Sequence, residues 1–257
     1  MKLKISLLTL GLATFMTGSL FAQEYKVPVT NSKDGKVTLI DFPGDLLIEG
    51  YSGNEIVVIG DRDIKTPERA KGLKPVYGGG TDNTGIGVAL EKNGNQVTLK
   101  CLLSLHKRGK YKIRVPDNFS VKSEAGCERS GEVTLENLKN EIEIKTCHDI
   151  KLKNVSGPLV LSTISGDIDV SFSEFNKEKP ISLVTISGEI DVRIPASAPV
   201  NIDMSTITGS FYSDFDFSTT SKDLPQVGGS KVKKPLNGGG TDLKLSTISG
   251  NIYLRKS

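Results

Sequence analysis

Four stretches of the chain alternate apolar and polar residues, break at a glycine, and then alternate again. They read LVLSTISGDIDV (Leu159 to Val170), ISLVTISGEIDV (Ile181 to Val192), IDMSTITGSFYS (Ile202 to Ser213) and LKLSTISGNIYL (Leu243 to Leu254). Residues two apart on a strand share a face. Leu159, Leu161 and Thr163 therefore fall into one set of inward columns with Ile181, Leu183 and Thr185. Ile202, Met204 and Thr206, then Leu243, Leu245 and Thr247, continue those columns. After the glycine a second short strand carries Ile168 and Val170, Ile190 and Val192, and Ile252 and Leu254. No ten-residue helical periodicity competes with this pattern in the second half of the chain.

The glycines of the four copies are Gly166, Gly188, Gly209 and Gly250. The first three recur at a near-constant interval, and the fourth follows after nearly twice that interval. Self-similarity at about 20–25 residues marks a solenoid. The expected fold is all-β, a one-domain parallel β-helix (β-solenoid) with about eight to nine rungs of about 21 residues each. The four glycines are expected at corners where φ is positive or where no side chain fits. The neighbouring Ser and Thr hydroxyls are expected to bond backbone groups at the bend. Weaker coils read SGEVTLENL (Ser130 to Leu138), IEIKTCHDIKLKNV (Ile142 to Val155) and GDLLIEGYSGNEIVVIG (Gly44 to Gly60). Excursions are expected near 61–87 and 214–240, the second accounting for the wide last spacing. Within VALEKNGNQVTLKC, Asn93 and Gly94 signal a local hairpin.

The N-terminus changes the picture of where this fold works. Lys2 and Lys4 precede an apolar stretch from Ile5 to Met16, small residues and LFAQ. That order is a secretory signal peptide over residues 1–22, cleaved after Ala22, leaving 23–257 as the β-helix domain. The expected location is exported: periplasm, outer-membrane surface or extracellular. No other run approaches the about 18 apolar residues of a membrane span. The formal charge of +3 falls to +1 when the two leader lysines are removed. Near-neutrality gives no electrostatic case for nucleic acid.

Much of the chain resembles the bacterial "putative adhesin" family of unknown function. The resemblance rests on GDLLIEGYSGNEIVV, DNTGIGVALEKNGNQVTL, the STISGDIDV coils and the terminal LNGGGTDLKLSTISGNIYL, and covers nearly all of residues 36–257. It implies a single-stranded right-handed β-helix in an envelope setting. It implies no catalytic residues.

Candidate chemistry is sparse. Asp167, Asp169, Glu189 and Asp191 are expected as four carboxylates on two adjacent rungs, giving way to Tyr212 and Tyr253 along the axis. Stacked like charges repel, so calcium, a cationic partner, or water and salt on an exposed face must offset them. An acidic-to-tyrosine stripe would suit a sugar chain. Cys127, Cys147, His148 and Asp149 can be drawn as a zinc set. Adjacent Cys147 and His148 point to opposite faces of a strand, however, and no metal site is assigned. Cys127 and Cys147 lie close to one period apart, which leaves open a disulfide or two unpaired thiols. Cys101 reads as a buried apolar thiol. YGGGTD and NGGGTD lack the lysine and helix of a phosphate loop. No cofactor is expected.

The expected function is an exported noncatalytic β-solenoid, an adhesin-like binding or structural module of the bacterial cell envelope. The partner is unidentified; an envelope polysaccharide or a surface protein would fit. The alternative is a carbohydrate-active enzyme, a polysaccharide lyase or hydrolase on the same scaffold. Neighbours stacked in one column sit too close for inverting chemistry at about 6.5–9.5 Å.

Overall fold

Alternation builds the long elements. Ile168–Phe172 and Ile190–Ile194 are each buried at their first, third and fifth residues, with partly exposed residues between. The computed structural model describes residues 23–60, 68–73, 76–104, 109–175, 179–217 and 230–257. The expected leader lies outside them, as do 61–67, 74–75 and 218–229 of the two excursions. A short 3-10 turn at Glu68–Ala70 belongs to the first excursion. No described helix is long and apolar enough to cross a membrane.

The described residues form twenty strands. The first are β1 (Gln23–Pro28), β2 (Lys36–Ile40), β3 (Gly44–Tyr51), β4 (Glu55–Gly60) and β5 (Val88–Asn93). Then come β6 (Gln96–Cys101), β7 (Gly109–Pro116), β8 (Ser120–Glu124), β9 (Ser130–Glu136) and β10 (Ile142–Lys145). β11 (Ile150–Val155), β12 (Leu159–Thr163), β13 (Ile168–Phe172), β14 (Ile181–Thr185) and β15 (Ile190–Ile194) follow. The last are β16 (Val200–Thr206), β17 (Phe211–Ser213), β18 (Ser230–Leu236), β19 (Thr241–Ser246) and β20 (Ile252–Lys256).

They make two ten-stranded mixed sheets, neither closed into a barrel. Sheet one has the order β1-β4-β7-β3-β9-β11-β13-β15-β20-β17. Sheet two has the order β18-β16-β19-β14-β12-β10-β8-β2-β6-β5. From β8 to β15 the chain alternates between the sheets, and successive strands within each sheet pair in parallel. Val133 is thus the register partner of Ile150, and Ile168 that of Ile190. Apart from β5 and β18, each strand of sheet two, with the strand of sheet one that follows it, makes a tier.

Tiers do not stack in chain order at either end. The β6–β7 tier lies outside the β2–β3 tier, although it comes later in the chain. At the other end β19–β20 inserts between β14–β15 and β16–β17. The wide interval from Gly209 to Gly250 therefore contains a return path, and part of the expected 214–240 excursion is itself a strand: β18 runs antiparallel to β16. The first excursion leads into the expected hairpin, β5 antiparallel to β6, with Gly94 at φ 59°.

The core lies between the sheets, in columns set by register. Ile142, Leu159, Ile181, Leu243 and Ile202 form one in sheet two. Ile150, Ile168, Ile190 and Ile252 form one in sheet one. All are almost completely buried, each contributing about 1.5–3 kcal/mol relative to exposure. Open sheets leave edges that invite further pairing. Three of the four edge strands are defended: β18 carries Lys231, Lys233, Lys234 and Pro235, β17 has three residues, and β1 ends in Pro28.

Candidate binding surface

The repeated T-I-[ST]-G segment is a corner, and each of its residues has a separate task. The Thr side chains are buried and tie one tier to the next. Thr163 Oγ1 donates to the His148 carbonyl at 2.8 Å, Thr185 to Gly166 at 3.0 Å, Thr247 to Gly188 at 3.0 Å and Thr206 to Gly250 at 3.2 Å. The glycines are required chiefly by close approach. A Cβ on Gly188, Gly209 or Gly250 would lie 2.0–2.1 Å from a carbonyl oxygen of the adjacent tier, and one on Gly166 would lie 2.2 Å from the carbonyl carbon of His148. Of the four, Gly250 alone also has a positive φ, 150°. The isoleucines face solvent: Ile164, Ile186, Ile248 and Ile207 are each about half exposed, one per tier.

The preceding corner holds Thr146 and Cys147 in the same positions. Cys147 is disulfide-bonded to Cys127, with Cα atoms 5.0 Å apart. Sulfurs bonded to each other are not thiolate ligands, so the drawn zinc set is not available in this state. Among the described residues no group of three or more His, Cys, Asp or Glu is placed to hold a metal ion. His148 Nε2 is buried without a hydrogen-bond partner among the described residues. Cys101 is buried against the Tyr111 hydroxyl, 3.8 Å away, and burial pushes its thiol pKa up.

The six candidate residues lie on four consecutive tiers of the outer face of sheet one. Asp169, Asp191, Tyr253 and Tyr212 are successive register partners in one column. Because the last tier is inserted, Tyr253 rather than Tyr212 adjoins Asp191. Asp167 and Glu189 flank that column at the corner, where their roles differ. Asp167 Oδ1 accepts the Glu189 backbone N–H at 2.7 Å, and Asp149 does the same for Asp167 at 3.0 Å. Glu189 Oε1 accepts from Asn251 at 2.9 Å and from the Tyr253 hydroxyl at 3.2 Å.

The expected carboxylate repulsion is offset by the chain itself. Arg193 donates to Asp169 at 2.9 Å, and Arg255 Nε lies 2.9 Å from both oxygens of Asp191. Arg193 also approaches Asp191 at 3.6 Å. The hydrogen bond and charge of Asp191 raise the Arg255 pKa. These arginines occupy the next outward column, where Arg193 and Arg255 are register partners. Sequence reasoning misses them when only the acidic half of each strand is in view. Their signal is Arg193 and Arg255 two residues after Asp191 and Tyr253, on the same face.

Beyond the ion pairs the surface becomes aromatic. Tyr212 and Tyr253 stack with centroids 5.2 Å apart and ring planes 14° apart. The Arg255 guanidinium lies 5.4 Å from the Tyr253 ring centroid. Tyr212 is 53% exposed and belongs to the edge strand, so one face of the stack ends at solvent. At the other end of the same face a groove of about 610 Å³ is lined by Leu47, Ile59, Tyr111 and Thr134, with Lys112 and Glu136. The aspartate–arginine ion pairs thus lie between this groove and the tyrosine stack. A polar cavity between the ends of sheet-one strands and the starts of sheet-two strands was not anticipated. Its asparagines read in sequence as ordinary turn residues.

Residues 112–255, more than half of the chain, match the Toastrack DUF4097 domain. No curated protein matches the chain. Among solved structures, a "putative cell adhesion protein" from Clostridium sporogenes is similar at 14% identity and a TM-score of 0.45, covering 92% of this chain and 100% of that one. A "putative adhesin" from Bacteroides fragilis is similar at 11% identity and a TM-score of 0.37, covering 93% and 98%. Another from Parabacteroides distasonis has 13% identity and a TM-score of 0.25 with the same coverage. By the domain match, the chain belongs to the Toastrack DUF4097 family.

Proposed function

We propose that this protein is an exported, noncatalytic β-solenoid that acts as an adhesin-like binding module of the bacterial cell envelope. Its outer face on sheet one is the contact surface, and a polysaccharide chain is the partner. The solenoid is right-handed, the hand that parallel crossovers within one sheet overwhelmingly take. Its coils are of about 21 residues, within the range of solenoid repeats. The parallel pairing of Val121 with Ile142 and of Ile168 with Ile190, 21 and 22 residues apart, supports that length, while Val133 and Ile150, 17 apart, mark a shorter coil. Export is supported by the charged, apolar and small-residue order of residues 1–22. It is supported independently by the Cys127–Cys147 disulfide, a bond that persists in oxidising compartments.

The observation that carries the binding reading is the Tyr212–Tyr253 stack. Tyrosine combines an apolar ring face with a polar tip, which matches the alternating C–H faces and hydroxyls of a sugar. Arg255, Asp191 and Glu189 beside it are held by ion pairs and hydrogen bonds, so polar groups are positioned before a ligand arrives. The same engagements support a noncatalytic role. Asp169 and Asp191 are neutralised by arginine, and Asp167 is occupied by a backbone N–H.

Retention on immobilised acidic and neutral polysaccharides tests this reading. The parent chain is expected to bind at least one, and the Tyr212→Ala, Tyr253→Ala double variant to bind it about tenfold more weakly, or about 1.4 kcal/mol. Unchanged retention in the double variant would move the contact surface elsewhere. Capture of a surface protein without any polysaccharide would replace the partner.

A further inference from the structure

The polar cavity, of about 680 Å³, arises from the topology. After β3 the chain turns away at Ser52 and Gly53 toward β4. The connection 117–119 carries the chain from β7 past the end of β3 to β8. The two paths diverge, and the space between them is lined by side chains from the ends of β3 and β11 and from the segment that follows β9.

Its walls are built largely of amides. Asn118, Asn137, Asn140 and Asn154 all line it. Asn140 Nδ2 donates to the Asn118 carbonyl at 2.9 Å and the Lys33 carbonyl at 2.8 Å, which fixes the floor. Asn154 Nδ2 donates to Asn137 Oδ1 at 2.6 Å. That pairing uses one donor group and one acceptor and leaves one of each on the pair without a partner among the described residues. Both residues have left-handed backbone, φ 60° for Asn137 and 54° for Asn154. Asn154 is the extra residue at a register shift in β11. Bulges of this kind re-aim a side chain away from its ladder.

Charge in the cavity is balanced. Asp117 is buried and bonded by Lys139 and by Asn31 Nδ2 at 3.2 Å. Burial works to raise its pKa, but the Lys139 and Asn31 hydrogen bonds outweigh it and the carboxyl is held below its usual range. Lys33 and Glu174 add one charge of each sign at the rim. No aromatic platform is on offer either. The Tyr51 ring has the Arg114 guanidinium 4.3 Å from its centroid, and its hydroxyl donates to the Glu55 carbonyl at 2.7 Å. A charged ligand would find no net counter-charge here, and a flat apolar one no wall. A neutral molecule with adjacent hydroxyls would find paired amide donors and acceptors. The volume falls within the about 300–1,000 Å³ of small-ligand sites.

We propose that this cavity is a binding site for a neutral saccharide, recognised through its hydroxyl groups by the Asn137–Asn154 amide pair. It is separate from the tyrosine surface, and neither reading needs the other.

Saturation-transfer NMR on the full chain with chitotriose, maltotriose, cellobiose and lactose, each at about 10 mM to detect millimolar binding, tests the proposal. Three variants separate the sites. The Asn137→Gly, Asn154→Gly pair removes both amides while keeping backbone angles glycine accepts. Ser156→Trp fills the cavity from its lining. Tyr212→Ala with Tyr253→Ala removes the aromatic surface. The expected result is transfer to at least one saccharide, reduced at least fivefold in both cavity variants and unchanged in the tyrosine variant. Should the double glycine variant fail to fold, Ser156→Trp decides alone. Absence of transfer to all four saccharides would overturn the proposal. So would transfer that survives the cavity variants, or that is lost only with the tyrosines.

Discussion

Thr185 donates its buried hydroxyl to the carbonyl of Gly166, one tier away, at 3.0 Å. Gly188, three residues after that threonine, packs 2.1 Å (as an added Cβ would measure it) from the same carbonyl oxygen. One carbonyl thus explains two letters of the repeated motif: a hydroxyl must reach it and a side chain must not.

Thr185→Val keeps the shape and removes the donor. An unsatisfied buried carbonyl costs about 1–3 kcal/mol, so urea unfolding should show a loss of that size with an unchanged slope. Gly188→Ala should be worse, because the clash is with backbone that cannot rotate away. Gly78→Ala is the control, since a Cβ there meets nothing within 4 Å. Equal stability of the two alanine variants would contradict the stacked-corner geometry.

The Cys127–Cys147 bond closes a loop across neighbouring tiers at the head of the isoleucine corners. For a sequence separation of 20, the chain-entropy account gives about 3 kcal/mol. Cys127→Ser with Cys147→Ser should lower the unfolding midpoint accordingly, and dithiothreitol should do the same to the parent but leave the variant unaffected. A midpoint indifferent to both would mean the loop is already ordered without the bond.

These corners were the part most legible in the sequence. A side-chain period of two and a recurring glycine motif revealed the strands, the inward columns and Gly166, Gly188, Gly209 and Gly250, because stacking similar tiers forces similar residues into register. What could not be read was order. The fourth copy, with Gly250, lies between the second and third because β18 returns the chain, and a repeat carries no label for its position in the stack. Arg193 and Arg255 were hidden for a related reason: a charge pattern along one strand shows a column only when the neighbouring tier is known.

Acid should weaken the opposite corner. The Asp117 pKa is depressed in the folded chain, so its contribution is fully present above the ordinary carboxylate value of about 4 and is lost as pH falls below it. The difference in melting temperature between the parent and Asp117→Asn should therefore be largest near neutrality and shrink below pH of about 4. A difference that persists at low pH would remove the charge-assisted bond to Lys139 as its cause.

On the outer face of sheet one, Arg255→Gln should disturb more than its own position. It leaves Asp191 with Arg193 alone, at 3.6 Å, and takes the cation from beside Tyr253. Exposed pairs contribute about 0–1 kcal/mol to stability, so folding should change little while polysaccharide retention falls severalfold. Retention unaffected by this variant would confine the contact to the tyrosine rings.

Incubating the purified chain with acidic and neutral polysaccharides, and following retention and product release in the same samples, decides between a binding module and an enzyme. Intact polysaccharide is expected to be retained, with no shortened or unsaturated sugar released. Release of such products, with or without retention, would contradict that expectation and make this chain an enzyme.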